Sequence, residues 1–135
     1  HNLPDMSDDP VDYCFRLPSM LKKHGILFCL ENSGDMEAMN ARNIPFLAGT
    51  TTSYGLKEEE AIEAISLSTC KILGIDKKYG SIEKGKSATF FISDGNALDM
   101  RTNNVSTIFV DGKTVPTKNF QFNLYNKYKN KYQNQ

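Results

Sequence analysis

The 135-residue chain reads as an α/β protein on three observations. A helical stretch that stops at Gly25 runs straight into the apolar run Ile26-Leu27-Phe28-Cys29-Leu30. That run has the length and content of a strand buried on both faces, as in a parallel sheet. A further helix opens on Lys57-Glu58-Glu59-Glu60 and leads to Lys71-Ile72-Leu73-Gly74. Beyond it the pattern changes to short apolar runs, Ala88 to Ile92 and Val105 to Val110, set between Gly-centred turns.

In chain order, Asn2 to Val11 is polar, acidic and Pro-bounded, and reads as loop. Asp12 to Lys23 is expected to be helical, with Phe15, Leu17, Met20 and Leu21 on its apolar face. Pro18 places the start of the regular helix near itself, because Pro is best tolerated in a first turn. Glu31-Asn32-Ser33-Gly34-Asp35 forms a polar loop at the C-terminal end of the expected strand. Asn43-Ile44-Pro45 starts another helix that runs to about Tyr54 and stops at Gly55. Its small residues Ala48, Gly49, Thr50 and Thr51 allow close packing.

The acidic residues opening the next helix sit where the helix dipole favours them. Ala61, Ile62 and Ile65 form its buried stripe, and Ser68 is the candidate cap for a last turn over Thr69 to Leu73. Lys84-Gly85-Lys86 and Asp94-Gly95 are turns. Asp111-Gly112 is a hairpin turn leading into Thr114-Val115. In the tail, 119–135, Tyr125, Tyr128 and Tyr132 alternate with Lys127, Lys129 and Lys131. Such a pattern suits either single-stranded nucleic acid or an amphipathic helix docking its Tyr face on the domain. The zero formal charge of the whole chain favours the docked helix.

The length suits one domain. The neutral balance points to neither nucleic acid nor a membrane as partner. No apolar run approaches the roughly 18–20 residues of a membrane span. The chain begins at His1 rather than Met and reads as a piece of a longer protein, so targeting is not legible and the cytoplasm is only the default expectation. Cys14, Cys29 and Cys70 are too widely spaced for a zinc ribbon or redox pair, and a structural role is expected for all three.

The order Leu73-Gly74, then Gly80-Ser81-Ile82-Glu83-Lys84-Gly85-Lys86, then strand, strand and Asp111-Gly112-Lys113 resembles the C-terminal end of metal-dependent amidohydrolases. The resemblance is nearest to the imidazolonepropionase-like branch. It implies the C-terminal fragment of a TIM-like barrel, its last strand and helices, over 1–75. Strands of the small composite β-domain follow over 76–118, and then the tail.

The implied reaction is hydrolysis of amide or cyclic-amide C–N bonds in a small-molecule substrate, with a divalent metal, zinc, as cofactor. Asp35 occupies the place of the family's aspartate after the last barrel strand, which binds the metal and accepts a proton from its water. Glu31 and Asn32 are nearer the strand and compete for that place, and Asp35 could equally cap the segment that follows. Arg42 and Asn43 are candidate substrate contacts, Arg42 by a bidentate grip on a carboxylate. His1 is a third, if it faces the site rather than solvent. The family's remaining ligands, a His-x-His pair, a Lys or Glu and two more His, have no counterpart here, so the fragment alone is expected to be inactive. The rival reading is a non-catalytic interaction module on the same fold. An unpaired barrel strand also predicts a homo-oligomer or swapped dimer.

Overall fold

The computed structural model describes residues 8–32 and 37–133. Helix α1 (Tyr13–Lys23) is followed by a 3-10 helix (Glu37–Asn43) and helices α2 (Ile44–Thr52), α3 (Glu58–Ile65) and α4 (Leu67–Ile72). Strands β1 (Phe90–Ser93), β2 (Val105–Val110) and β3 (Lys113–Val115) come next, and α5 (Phe120–Gln133) ends the chain. The result is a mixed α/β architecture with a three-stranded antiparallel sheet in the order β1-β2-β3.

Two of the helix stops were legible. After α1 the Gly25 N–H reaches the Lys22 carbonyl at 3.0 Å and the Ile26 N–H reaches Leu21 at 3.0 Å. After α4 the Gly74 N–H reaches Lys71 at 3.1 Å and the Ile75 N–H reaches Cys70 at 2.9 Å. Both are Schellman closures, which need a left-handed residue just past the helix. Gly25 and Gly74 supply it at φ 68° and 70°.

Pro18 does not open α1. It lies five residues past Tyr13, well beyond the first turn. Pro18 and Ser19 are buried, and Ser19 lies beside Gly55 at the end of α2. The Phe15 and Tyr54 rings stack with centroids 5.2 Å apart. This packing against the end of α2 outweighs the cost of an interior Pro.

Ser68 is likewise not a cap. It is buried inside α4, and the chain breaks at Ser66 (φ −132°, ψ −88°). The Ser66 hydroxyl donates to the Ile62 carbonyl at 2.6 Å, the local competition with helix bonding that serine offers. At the start of α3, the Glu60 carboxylate accepts the Lys57 N–H at 2.9 Å, so one acidic residue of the opening run caps the helix.

The core is small: Ala48, Leu56, Ala61 and Leu98 are buried together, with Phe28, Leu30 and Ile65 packed against them. Glu63 ties three helices. Its carboxylate meets Lys22 Nζ of α1 at 2.9 Å and Lys71 Nζ of α4 at 3.6 Å. The hydrogen bond from Lys22 is the main cause holding the Glu63 carboxyl below its ordinary value near 4.5, and it raises Lys22 above 10.5. The Glu63 contribution is therefore present above pH 4.5 and lost as pH falls through the lower folded value. The Lys22 contribution is present below pH 10.5 and lost as pH rises through the higher one. Because both groups are partly solvated, Glu63→Gln should cost only about 0.5–1 kcal/mol near neutrality. Urea titrations of the two proteins should converge in acid; a gap that persists unchanged there would refute the ion-pair account.

The hairpin appears as expected. Asp111 and Gly112, at φ 48° and 77°, make a two-residue turn with both residues left-handed. Phe90 pairs with Phe109, ring centroids 5.0 Å apart. The first strand starts at Phe90 rather than Ala88. The Ala88 carbonyl and Thr89 hydroxyl instead accept the Gly112 and Asp111 N–H groups, so these two residues brace the hairpin turn.

The tail is helical from Phe120, with Asn119 Oδ1 accepting the Phe122 N–H at 2.9 Å as a cap. Its Tyr face does not dock on the domain, contrary to expectation. All residues from Asp111 to Asn123 are exposed, so no packed contact bends the helix back.

Candidate functional site

The segment Ile26–Leu30 is neither helix nor strand and pairs with no strand among the described residues. The expected parallel strand does not form among the described residues: the three strands pair among themselves downstream and leave this segment without a ladder. Phe28 and Leu30 turn toward the core, and the Leu30 N–H donates to the Ala64 carbonyl at 3.2 Å, tying the segment to α3. Ile26 and Leu27 are 51% and 52% exposed.

At its C-terminal end a cleft of about 230 Å3 opens against α1 and the start of α2. Cys29, Glu31 and Asn32 line it, facing Leu17, Leu21 and Ile44. Asn32 Nδ2 donates to the Asn40 carbonyl at 2.9 Å. That bond clasps the start of the loop to the 3-10 helix. Asn32 was legible only as a rival for the position of Asp35; its clasp spans eight residues and leaves no local sequence signal.

Asp35 and His1, the expected metal ligand and one expected substrate contact, lie outside the described residues. Arg42 is exposed in the last turn of the 3-10 helix. Asn43 follows it at the N-cap of α2, half-buried, and makes no side-chain cap bond. Both lie within two residues of Ile44, which lines the cleft. His24 is the C-cap of α1. Cys29 and Cys70 are free thiols, half-buried, in keeping with structural roles. Among the described residues no three His, Cys, Asp or Glu side chains come together as a metal site. These residues therefore do not by themselves fit a catalytic metal, which typically needs three protein ligands.

Comparison with known proteins agrees with this architecture. The amidohydrolase family model matches residues 14–115, from α1 to the end of β3. Among curated proteins, the imidazolonepropionase of Pseudomonas fluorescens is 33% identical over 73 residues, covering 52% of this chain and 18% of that protein. That of Pseudomonas aeruginosa is 31% identical over 77 residues, covering 55% and 19%. The crystal structure of an amidohydrolase from Thermotoga maritima superposes with a TM-score of 0.68 at 30% identity, over 77% of this chain and 26% of that one. An uncharacterized protein of 18% identity shares the fold with a TM-score of 0.56. The chain spans about a fifth of the length of the curated relatives it matches. With three quarters of its residues inside the family match, the chain belongs to the amidohydrolase family, on its imidazolonepropionase-like branch.

Proposed function

We propose that this chain is the C-terminal portion of a hydrolase acting on amide or cyclic-amide C–N bonds of a small molecule. The observation that carries the reading is the family match running unbroken from α1 to β3. It is supported by the apolar segment Ile26–Leu30, which leads to a polar sequence and a cleft at its C-terminal end. In this reading that segment is the last strand of a TIM-like barrel, whose loops gather at the C-terminal ends of the strands. Residues 1–75 belong to the barrel, and the sheet belongs to a small β-domain over 76–118.

Asp35 is this chain's acidic contribution, a carboxylate able to accept a proton. Arg42, Asn43 and His1 are its substrate contacts, with Arg42 placed to hold an anionic group. The family generally uses divalent metals, and zinc is the expected one. Because the described residues build no metal site, most ligands would come from elsewhere in the intact protein.

The decisive comparison is between the intact protein and this chain alone, each given zinc and a panel of cyclic amides. Hydrolysis by the intact protein, lost on chelation and absent from the 135-residue chain, is the expected result. An intact protein inert toward the whole panel would leave the non-catalytic module as the better reading.

A further inference from the structure

Arg16 and Arg101 are both paired: Arg16 Nη1 lies 3.9 Å from Asp12 Oδ2, and Arg101 Nη2 lies 2.8 Å from Asp99 Oδ2. Arg42 is exposed and meets no carboxylate among the described residues. Its backbone belongs to the 3-10 helix Glu37–Asn43, and Ile44, two residues on, lines the cleft. A guanidinium presents a planar fork of donors that fits a carboxylate through two bonds at once. Where the fork stands therefore decides which anion it can hold.

A 3-10 helix holds its own place poorly. Its hydrogen bonds are worse aligned than those of an α-helix, and runs longer than about four residues are uncommon. This one has 7. Its join to α2 adds no side-chain pin, since Asn43 keeps helix-like backbone (φ −91°, ψ −3°) and makes no cap bond.

What fastens it from outside, among the described residues, is the hydrogen bond from Asn32 Nδ2 to the Asn40 carbonyl at 2.9 Å. Asn32 is itself well anchored. Two residues before it, Leu30 packs against the buried core and donates its N–H to the Ala64 carbonyl of α3 at 3.2 Å. The tether thus runs from α3 through Leu30 to Asn32 and on to Asn40, two residues short of Arg42.

We infer that Asn32 is a positioning residue for Arg42: by holding the Asn40 carbonyl it sets the 3-10 helix so that the Arg42 guanidinium can grip a carboxylate on the substrate. The inference rests on the hydrolase reading and narrows it. The substrate is a cyclic amide that carries a carboxylate apart from the bond to be cleaved. The Asn32 bond is neutral at both ends, so its loss is felt as a several-fold change and not as abolition.

The test uses the intact protein and two matched sets of compounds, cyclic amides bearing a side-chain carboxylate and the same compounds as carboxamides. Arg42→Ala should raise KM for the carboxylates about tenfold or more and leave the carboxamides unchanged. Asn32→Ala should raise KM for the carboxylates roughly 3- to 10-fold, with kcat much less altered. With Arg42→Ala already present, Asn32→Ala should add nothing. Amide hydrogen exchange over residues 37–43 should be faster in Asn32→Ala, with α3 unchanged. Asn32→Asp, which keeps the shape of the side chain and loses the donor, serves if Asn32→Ala disturbs the fold. An Asn32→Ala protein that weakens both sets alike, acts fully without Arg42, or leaves exchange over 37–43 as it was would overturn the inference while the hydrolase reading stood. A protein that hydrolyses neither set would remove that reading and this inference with it.

Discussion

Gly49→Ala should lower the stability of this protein although alanine is the better helix former. In the interior of α2 the exchange would ordinarily gain about 1 kcal/mol. Here a Cβ on residue 49 would fall inside the van der Waals envelope of the Leu98 carbonyl oxygen, with the Leu98 Cβ only 3.2 Å away. The obstacle is backbone, not the end of a flexible side chain, so it cannot swing aside. Leu98 is itself buried with Ala48, Leu56 and Ala61. Relief therefore requires either α2 or the loop carrying Leu98 to move out of the core. Overpacking of this kind costs about 1–3 kcal/mol. Thermal melts should show the midpoint falling by roughly 5–10 °C. Thr50→Ala, one residue along the same helix and exposed, provides the control and should leave the midpoint nearly where it was. A Gly49→Ala protein as stable as the parent would mean that the close approach of Leu98 to α2 does not exist in solution.

The second large effect concerns chemistry. On the proposed function, Asp35→Asn in the intact protein should reduce kcat by about 100- to 10,000-fold, the range lost when a positioned proton acceptor is removed. The substitution keeps the shape of the side chain and removes its basicity, so KM should change much less than kcat. Glu31 is the informative comparison. It lines the cleft at the end of the apolar segment and is the rival carboxylate there. Glu31→Gln should leave kcat within a few-fold of the unsubstituted enzyme. If the large loss followed Glu31→Gln and not Asp35→Asn, the assignment would pass to Glu31. If neither substitution mattered, this loop would not serve the reaction.

Much of the local structure was legible because it is governed by short-range rules. Gly25 and Gly74 stop helices because the chain there must turn left-handed. Asp111-Gly112 makes a hairpin because both residues tolerate that same region. The small residues of α2 predicted close approach, and Ala48 and Thr51 are indeed fully buried there. Pro18 and Ser68 were misplaced for a different reason. Each has a sound local role as a helix starter, and each was overruled by burial against a neighbouring element. The Asn32 clasp was invisible because its acceptor is a backbone carbonyl eight residues away.

The sequence by itself determined the family, the helices α1 to α4 and the hairpin that follows them, since periodicity, glycine position and motif order are properties of neighbours along the chain. Only the tertiary structure decided that Ile26–Leu30 has no strand partner among the described residues, that Glu63 joins three helices, and that the aromatic residues of α5 stand exposed. Those outcomes depend on which distant surfaces meet. An apolar run states how much surface must be covered, whereas what covers it is settled only when the chain has folded.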